Sequence, residues 1–158
     1  MCIRDRARWG SLYDMFTHSW QNSARIQTNS WGNENLVGEY SSDSRSADAF
    51  LVDYPRFLVL FSAGDLGSSG NSVTPPGTAK NVLTVGASTT GAQGSTAEGS
   101  VPGFSSRGTT LDGRIKPDIV APGVMICSAR AEGRNSPATP RALAVSYTHL
   151  TLPTICSV

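Results

Sequence analysis

Long hydrophobic runs are missing from this 158-residue chain, and so is any concentration of charge. The longest apolar stretch is Phe57-Leu58-Val59-Leu60-Phe61, far short of the roughly 20 residues that span a bilayer as a helix. Charged residues make up 16% of the chain, the net charge is +1, and no basic patch or run stands out. Nucleic acid and membrane partners are therefore not expected. No basic segment followed by an apolar core opens the chain, so no signal peptide is visible. Cysteines number three (Cys2, Cys127 and Cys156), spaced neither like a zinc site nor like a disulfide framework. Cys127 follows an apolar run and reads as a small buried hydrophobe. Neither G-x-G-x-x-G nor G-x-x-x-x-G-K-[ST] occurs at a strand-to-helix turn, which argues against a doubly wound nucleotide-binding domain. No loop carries the alternating oxygen ligands of a calcium site, so no metal-binding residue is assigned and no cofactor is identified.

What is present suffices for one domain with a real core: 39% of the residues are hydrophobic. Sixteen glycines, with many Ser, Thr and Asn, indicate a turn-rich α/β or β protein. Both ends look foreign to the rest. "MCIRDR" at residues 1–6 and "VSYTHLTLPTICSV" at 145–158 resemble translated sequencing-adapter read-through, and they are set aside from fold reasoning as a fusion scar would be. The alternative for the second is a terminal strand carrying Val145, Tyr147, Leu150 and Leu152. Residues 131–144, with Pro137 and Pro140 and no periodicity, read as a loop or linker. The domain is thus expected within residues 7–130.

Inside that span, Leu12, Met15, Phe16 and Trp20 recur at helical spacing and predict a helix near 11–22. Ala47, Phe50 and Leu51 predict a second near 44–54, stopped by Pro55. Strands are expected near 24–29, 57–62, 81–87 and 118–121, the last closed by Pro122-Gly123, with a loop at 91–100 and a turn at Asp112-Gly113. Strands alternating with helices imply an α/β fold with a mostly parallel sheet flanked by helices. The continuous apolar runs imply strands covered on both faces. The stretch "FSAGDLG" (61–67) then poses a question. The strand ends at Ser62-Ala63-Gly64, and Asp65 falls at its carboxyl end, where open α/β sheets place ligands. A carboxylate there could be a base, a metal ligand or a repeller of anions.

Four segments decide the comparison with known families: "ARIQTNSWG" (24–32), "FLVLFSAGDLG" (57–67), "PGTAKNVLTVGAS" (76–88) and "FSSRGTTLDGRIKPDIVAPGV" (104–124). In this order and spacing they resemble the subtilisin-like serine peptidases over about residues 10–130. The resemblance implies a partial subtilisin-like fold and a serine-type endopeptidase, secreted or extracytoplasmic, acting on a peptide or protein substrate. Calcium could accompany the full-length family member; nothing sets an oligomeric state. In that family a Ser nucleophile, a His base and an orienting Asp do the chemistry. None of their motifs (Asp-Thr/Ser-Gly, His-Gly-Thr, Gly-Thr-Ser) is in this chain, and His18 and His149 match neither context. The resemblance therefore implies an internal piece of the catalytic domain, inactive alone.

By the same resemblance, Ser30-Trp31-Gly32 is one edge of the substrate groove, where backbone would pair with an extended peptide. Ser62-Ala63-Gly64 is the opposite wall and Thr74 lies near the pocket floor. On residue type alone, these small side chains equally suit plain strand-end packing. The Pro75–Pro76 bond is expected to be cis, and Asp118 structural. Asp65 takes the oxyanion-hole position, normally Asn. An amide donates to the oxyanion, whereas an ionised carboxylate only accepts. Three readings of Asp65 stay open: a natural variant that works protonated, the mark of an inactive paralogue, or a one-base sequencing error. A pseudopeptidase that binds peptides without turnover is the competing function.

Overall fold

The computed structural model describes residues 10–89 and 99–124. The expected loop at 91–100 falls largely outside these, as do residues 1–6, the segment 131–144, the 145–158 tail, His149 and all three cysteines. In chain order the elements are α1 (Leu12–Gln21), β1 (Ile26–Asn29), α2 (Ser42–Asp53), β2 (Leu58–Ser62), β3 (Leu83–Ser88), β4 (Gly108–Thr109), β5 (Ile115–Lys116) and β6 (Ile119–Pro122). One turn of 3₁₀ helix spans Glu34–Leu36.

Each helix begins on a serine. The Ser11 hydroxyl accepts from the Asp14 amide and the Ser41 hydroxyl from the Ser44 amide, both at 3.2 Å, satisfying one orphan donor of each first turn. α1 ends through the Asn22 cap, whose N–H reaches back to His18 O. Strands β1, β2, β3 and β6 form one sheet in that order, every pair parallel. Ile26 stands beside Leu58, Leu60 beside Leu83, and Val85 beside Ile119.

The core lies between the helices and one face of this sheet. Phe16 of α1, Ala47, Phe50 and Leu51 of α2, Phe57, and Val59 and Phe61 of β2 form one buried cluster with Ala79 and Val82. Phe50 is its hub, with ring centroids 5.5 Å from Tyr13, 5.3 Å from Phe16, 4.5 Å from Tyr54 and 5.3 Å from Phe57. Full burial of each such side chain contributes about 1.5–3 kcal/mol.

The apolar runs of β2 and β3 are buried on both faces: Val59 and Phe61 point to the helices, while Leu60 (8%), Val85 (2%) and Ala87 (1%) are buried on the opposite face. On that second face, Ile26 (53%), Leu58 (39%) and Ile119 (44%) remain exposed among the described residues. The strand expected near 118–121 is β6, and an unexpected hairpin precedes it. Lys116 pairs in an antiparallel β4–β5 hairpin closed by the turn at Asp112-Gly113, and the parallel strand starts only at Ile119. Pro117, which lacks an N–H for a ladder, and Asp118 make the break. The Asp118 carboxylate accepts from the Thr84 amide and from Lys116 Nζ, both at 2.7 Å, and this occupies it structurally. The Pro75–Pro76 bond is cis, and so is Lys116–Pro117.

Candidate functional site

β1 and β2 are adjacent and parallel, so their carboxyl ends open on the same edge of the sheet. Such an edge is where ligands bind in open α/β sheets. A cleft of about 250 Å³ lies there, lined by Ser30, Trp31, Gly32, Glu34, Ser62, Gly64, Asp65 and Thr74. Of the eight residues singled out from the sequence, seven line this cleft. Ala63 does not; it is fully buried behind the wall. Glu34 was not singled out. It stands on the 3₁₀ turn two residues past Gly32, and only the path of that turn brings it to the cleft.

Thr74 reaches the cleft by backbone tethers rather than by a secondary-structure element. Its N–H donates to Ala63 O at 3.0 Å, and the Gly77 N–H donates to Thr74 O at 3.0 Å. The 30–38 segment is laced to the same stretch: Asn33 N–H donates to Pro75 O (2.9 Å) and Gly38 N–H to Val73 O (2.8 Å). The two glycines of the cleft are packed against Thr74. A Cβ on Gly32 would run into Thr74 Oγ1 and stand 2.9 Å from its Cβ; one on Gly64 would stand 3.0 Å from the same oxygen. Gly64 also has φ of +106°, a backbone conformation that favours glycine. Trp31, 44% exposed, holds its ring edge-on to Phe61 at 5.2 Å, so it roofs the cleft mouth from an anchor in the core.

Asp65 is exposed at the cleft rim, on the turn that follows β2. His18 lies in α1, with its ring nitrogens near the Asn22 side-chain amide, and does not line the cleft. Two carboxylates of α2 are engaged elsewhere. Asp48 accepts from Tyr40 OH and from the amides of Lys80 and Asn81, and Asp53 accepts from Tyr13 OH at 2.7 Å. Among the described residues no group of three or more His, Cys, Asp or Glu is placed to hold a metal ion. None of the described helices is long and apolar enough to cross a membrane. The glycine-rich run 64–70 leads through turns to β3 rather than into a helix. It therefore lacks the helix N-terminus on which a nucleotide phosphate would sit.

A model of the subtilase family, peptidase S8, matches residues 6–151. The serine protease/ABC transporter B family protein tagB of Dictyostelium discoideum is 30% identical over an alignment of 191 residues, 77% of this chain and 10% of that protein. The serine protease AprX of Bacillus subtilis is 42% identical over 74 residues, 47% of this chain and 17% of AprX. Among solved structures, the prenylagaramide maturation protease PagA superposes with a TM-score of 0.58 at 24% identity, over 75% of this chain and 38% of that one. The chain thus spans well under half of each, and the likeness to PagA is one of fold.

Proposed function

Because the chain belongs to the subtilase family, we propose that its cleft is the substrate groove of a serine endopeptidase and that Asp65 stands where the oxyanion of the tetrahedral intermediate forms. The observation that carries this reading is the convergence of three distant segments, 30–32, 62–65 and 74, on one cleft at the carboxyl ends of two neighbouring parallel strands. Among the described strands β1 is an edge of the sheet. The chain leaving it at Ser30-Trp31-Gly32 offers backbone to an extended peptide, which would add as a further strand. Gly32 and the Ser62–Gly64 wall keep the slot open for one side chain of that peptide, with Thr74 at its floor.

The chain itself holds no triad. Its sequence lacks Asp-Thr/Ser-Gly, His-Gly-Thr and Gly-Thr-Ser, so it binds without cleaving, as the middle of a catalytic domain whose nucleophile and base lie on flanking sequence. Asp65 separates two versions of the reading. A carboxylic acid can donate to an oxyanion only while it stays protonated. An ionised carboxylate there would repel the oxyanion and make a slow or silent enzyme, the peptide-binding pseudopeptidase being the limit of slowness.

The test is to complete the domain with the flanking segments and compare Asp65 with Asp65→Asn. The Asn form should be faster by about 10²–10³, the effect of one oxyanion donor in this same family. The gain should lie in kcat, because the contact strengthens in the transition state. Equal rates across the pH range would mean that residue 65 does not face the oxyanion. A gene whose flanks lack the His or Ser motif would leave the binding function alone.

A further inference from the structure

Residue 65 sits on no helix or strand: β2 stops at Ser62, and bends and turns follow. A group that must meet a charge developing on a substrate atom cannot be left to a loose turn, since a misplacement of about 1 Å can cost roughly 10²-fold in rate. Something outside the turn has to hold it.

Ser106, 42 residues after Gly64 in the chain and fully buried, meets that requirement. Its backbone N–H donates to Gly64 O at 3.0 Å, and its Oγ accepts from the Leu66 N–H at 3.0 Å. The two bonds fall on the residues either side of Asp65, so they bracket it. Ser106 Oγ also lies 3.1 Å from where a Cβ on residue 64 would be, so the glycine and the serine fit together. The strap carrying Ser106 is itself fastened on both sides. Ser105 Oγ accepts from the Ala87 N–H of β3 at 2.9 Å, while the Gly67 N–H donates to Phe104 O at 2.8 Å. Ser72 closes the far end, its hydroxyl donating to Gly67 O (2.6 Å) and accepting from the Arg107 N–H (2.9 Å). β3 is thereby connected to the residue-65 turn through the neighbouring buried serines Ser105 and Ser106.

We propose that Ser106 is a positioning residue for residue 65, acting through the Gly64 and Leu66 peptide groups without touching substrate. This rests on the oxyanion reading above. The completed domain tests it in two backgrounds, Asp65→Asn, which supplies a donor, and Asp65→Ala, which supplies none. In the first, Ser106→Ala should lower kcat about 10- to 10²-fold with KM unchanged. In the second it should change kcat by less than about twofold, because there is no donor left to misplace. Amide hydrogen exchange should show Leu66 losing at least about tenfold in protection while Phe61 in β2 keeps its own, which separates a loosened turn from a failing fold. Ser106→Thr, which keeps an acceptor oxygen at the same position, should restore both rate and protection. An equal kcat loss in the two backgrounds, a loss confined to KM, or unchanged Leu66 exchange would each overturn the proposal. Equal activity of the Asp65→Asn and Asp65→Ala forms would instead overturn the oxyanion reading itself, and the catalytic role of Ser106 with it.

Discussion

At the scale of single residues, the cleft depends on side chains that are small or missing. Gly32 has no room for even a methyl group, because Thr74 stands in that space. Gly32→Ala should therefore push the 30–32 edge off its position rather than merely add bulk. We expect kcat/KM of the completed domain to fall by about 10²-fold, the cost of roughly 1 Å of misplacement. Thr74→Gly in the same chain removes both atoms in the way and should recover much of the loss; steady-state kinetics on a short peptide checks both. A Gly32→Ala enzyme at full activity would mean that this edge does not contact substrate. Ala63 makes a different point. The sequence places it between two cleft residues, yet it is fully buried, because alternate residues along a strand and its extension turn to opposite sides.

At the scale of elements, the two helices are joined by one cluster of rings and one polar tether. Tyr13 of α1 donates its hydroxyl to Asp53 at the end of α2, and this hydrogen bond, above all, raises the tyrosine from its usual 10 to about 12. The folded value lies above the unfolded one. The contribution of the pair is therefore fully present below about pH 10 and is lost as pH rises towards 12. Unfolding midpoints measured across pH 9 to 12 on the completed domain should fall less steeply for Tyr13→Phe than for the parent. Identical slopes would mean that the tether does not survive in solution. Tyr13 also meets Phe50 edge-on, and the Phe variant keeps that ring contact, so the difference reports the hydroxyl.

At the scale of the whole molecule, the described part of the fold leaves several large apolar side chains uncovered. Ile26, Leu58 and Ile119 are exposed on the side away from the helices, and among the described strands β1 and β6 are edges of the sheet. Exposed apolar surface together with unpaired parallel edges invites self-association. Residues 7–143 expressed alone should form concentration-dependent aggregates or melt without a sharp transition, as seen by sedimentation and calorimetry, whereas the completed domain should be monodisperse. A monomer with a cooperative melt would show a self-sufficient unit and count against the reading of this chain as the middle of a larger domain.

Local order was written into the sequence. Apolar spacing in 12–20 and 47–51, the β-branched and apolar runs, and the stops at Pro55 and Pro122-Gly123 are short-range signals, and both helices and all four parallel strands lie within about two residues of where they pointed. The motif order along the chain likewise announced the subtilase family. What lay beyond reach was whatever depends on contacts between distant segments. The β4–β5 hairpin was missed because two-residue strands have no periodicity to read. Glu34 reaches the cleft by the path of a loop, and Ser106 reaches the residue-65 turn across 40 residues. Both are tertiary facts, since hydrogen bonds and packing join groups by position in space, and a sequence records only which groups there are to join.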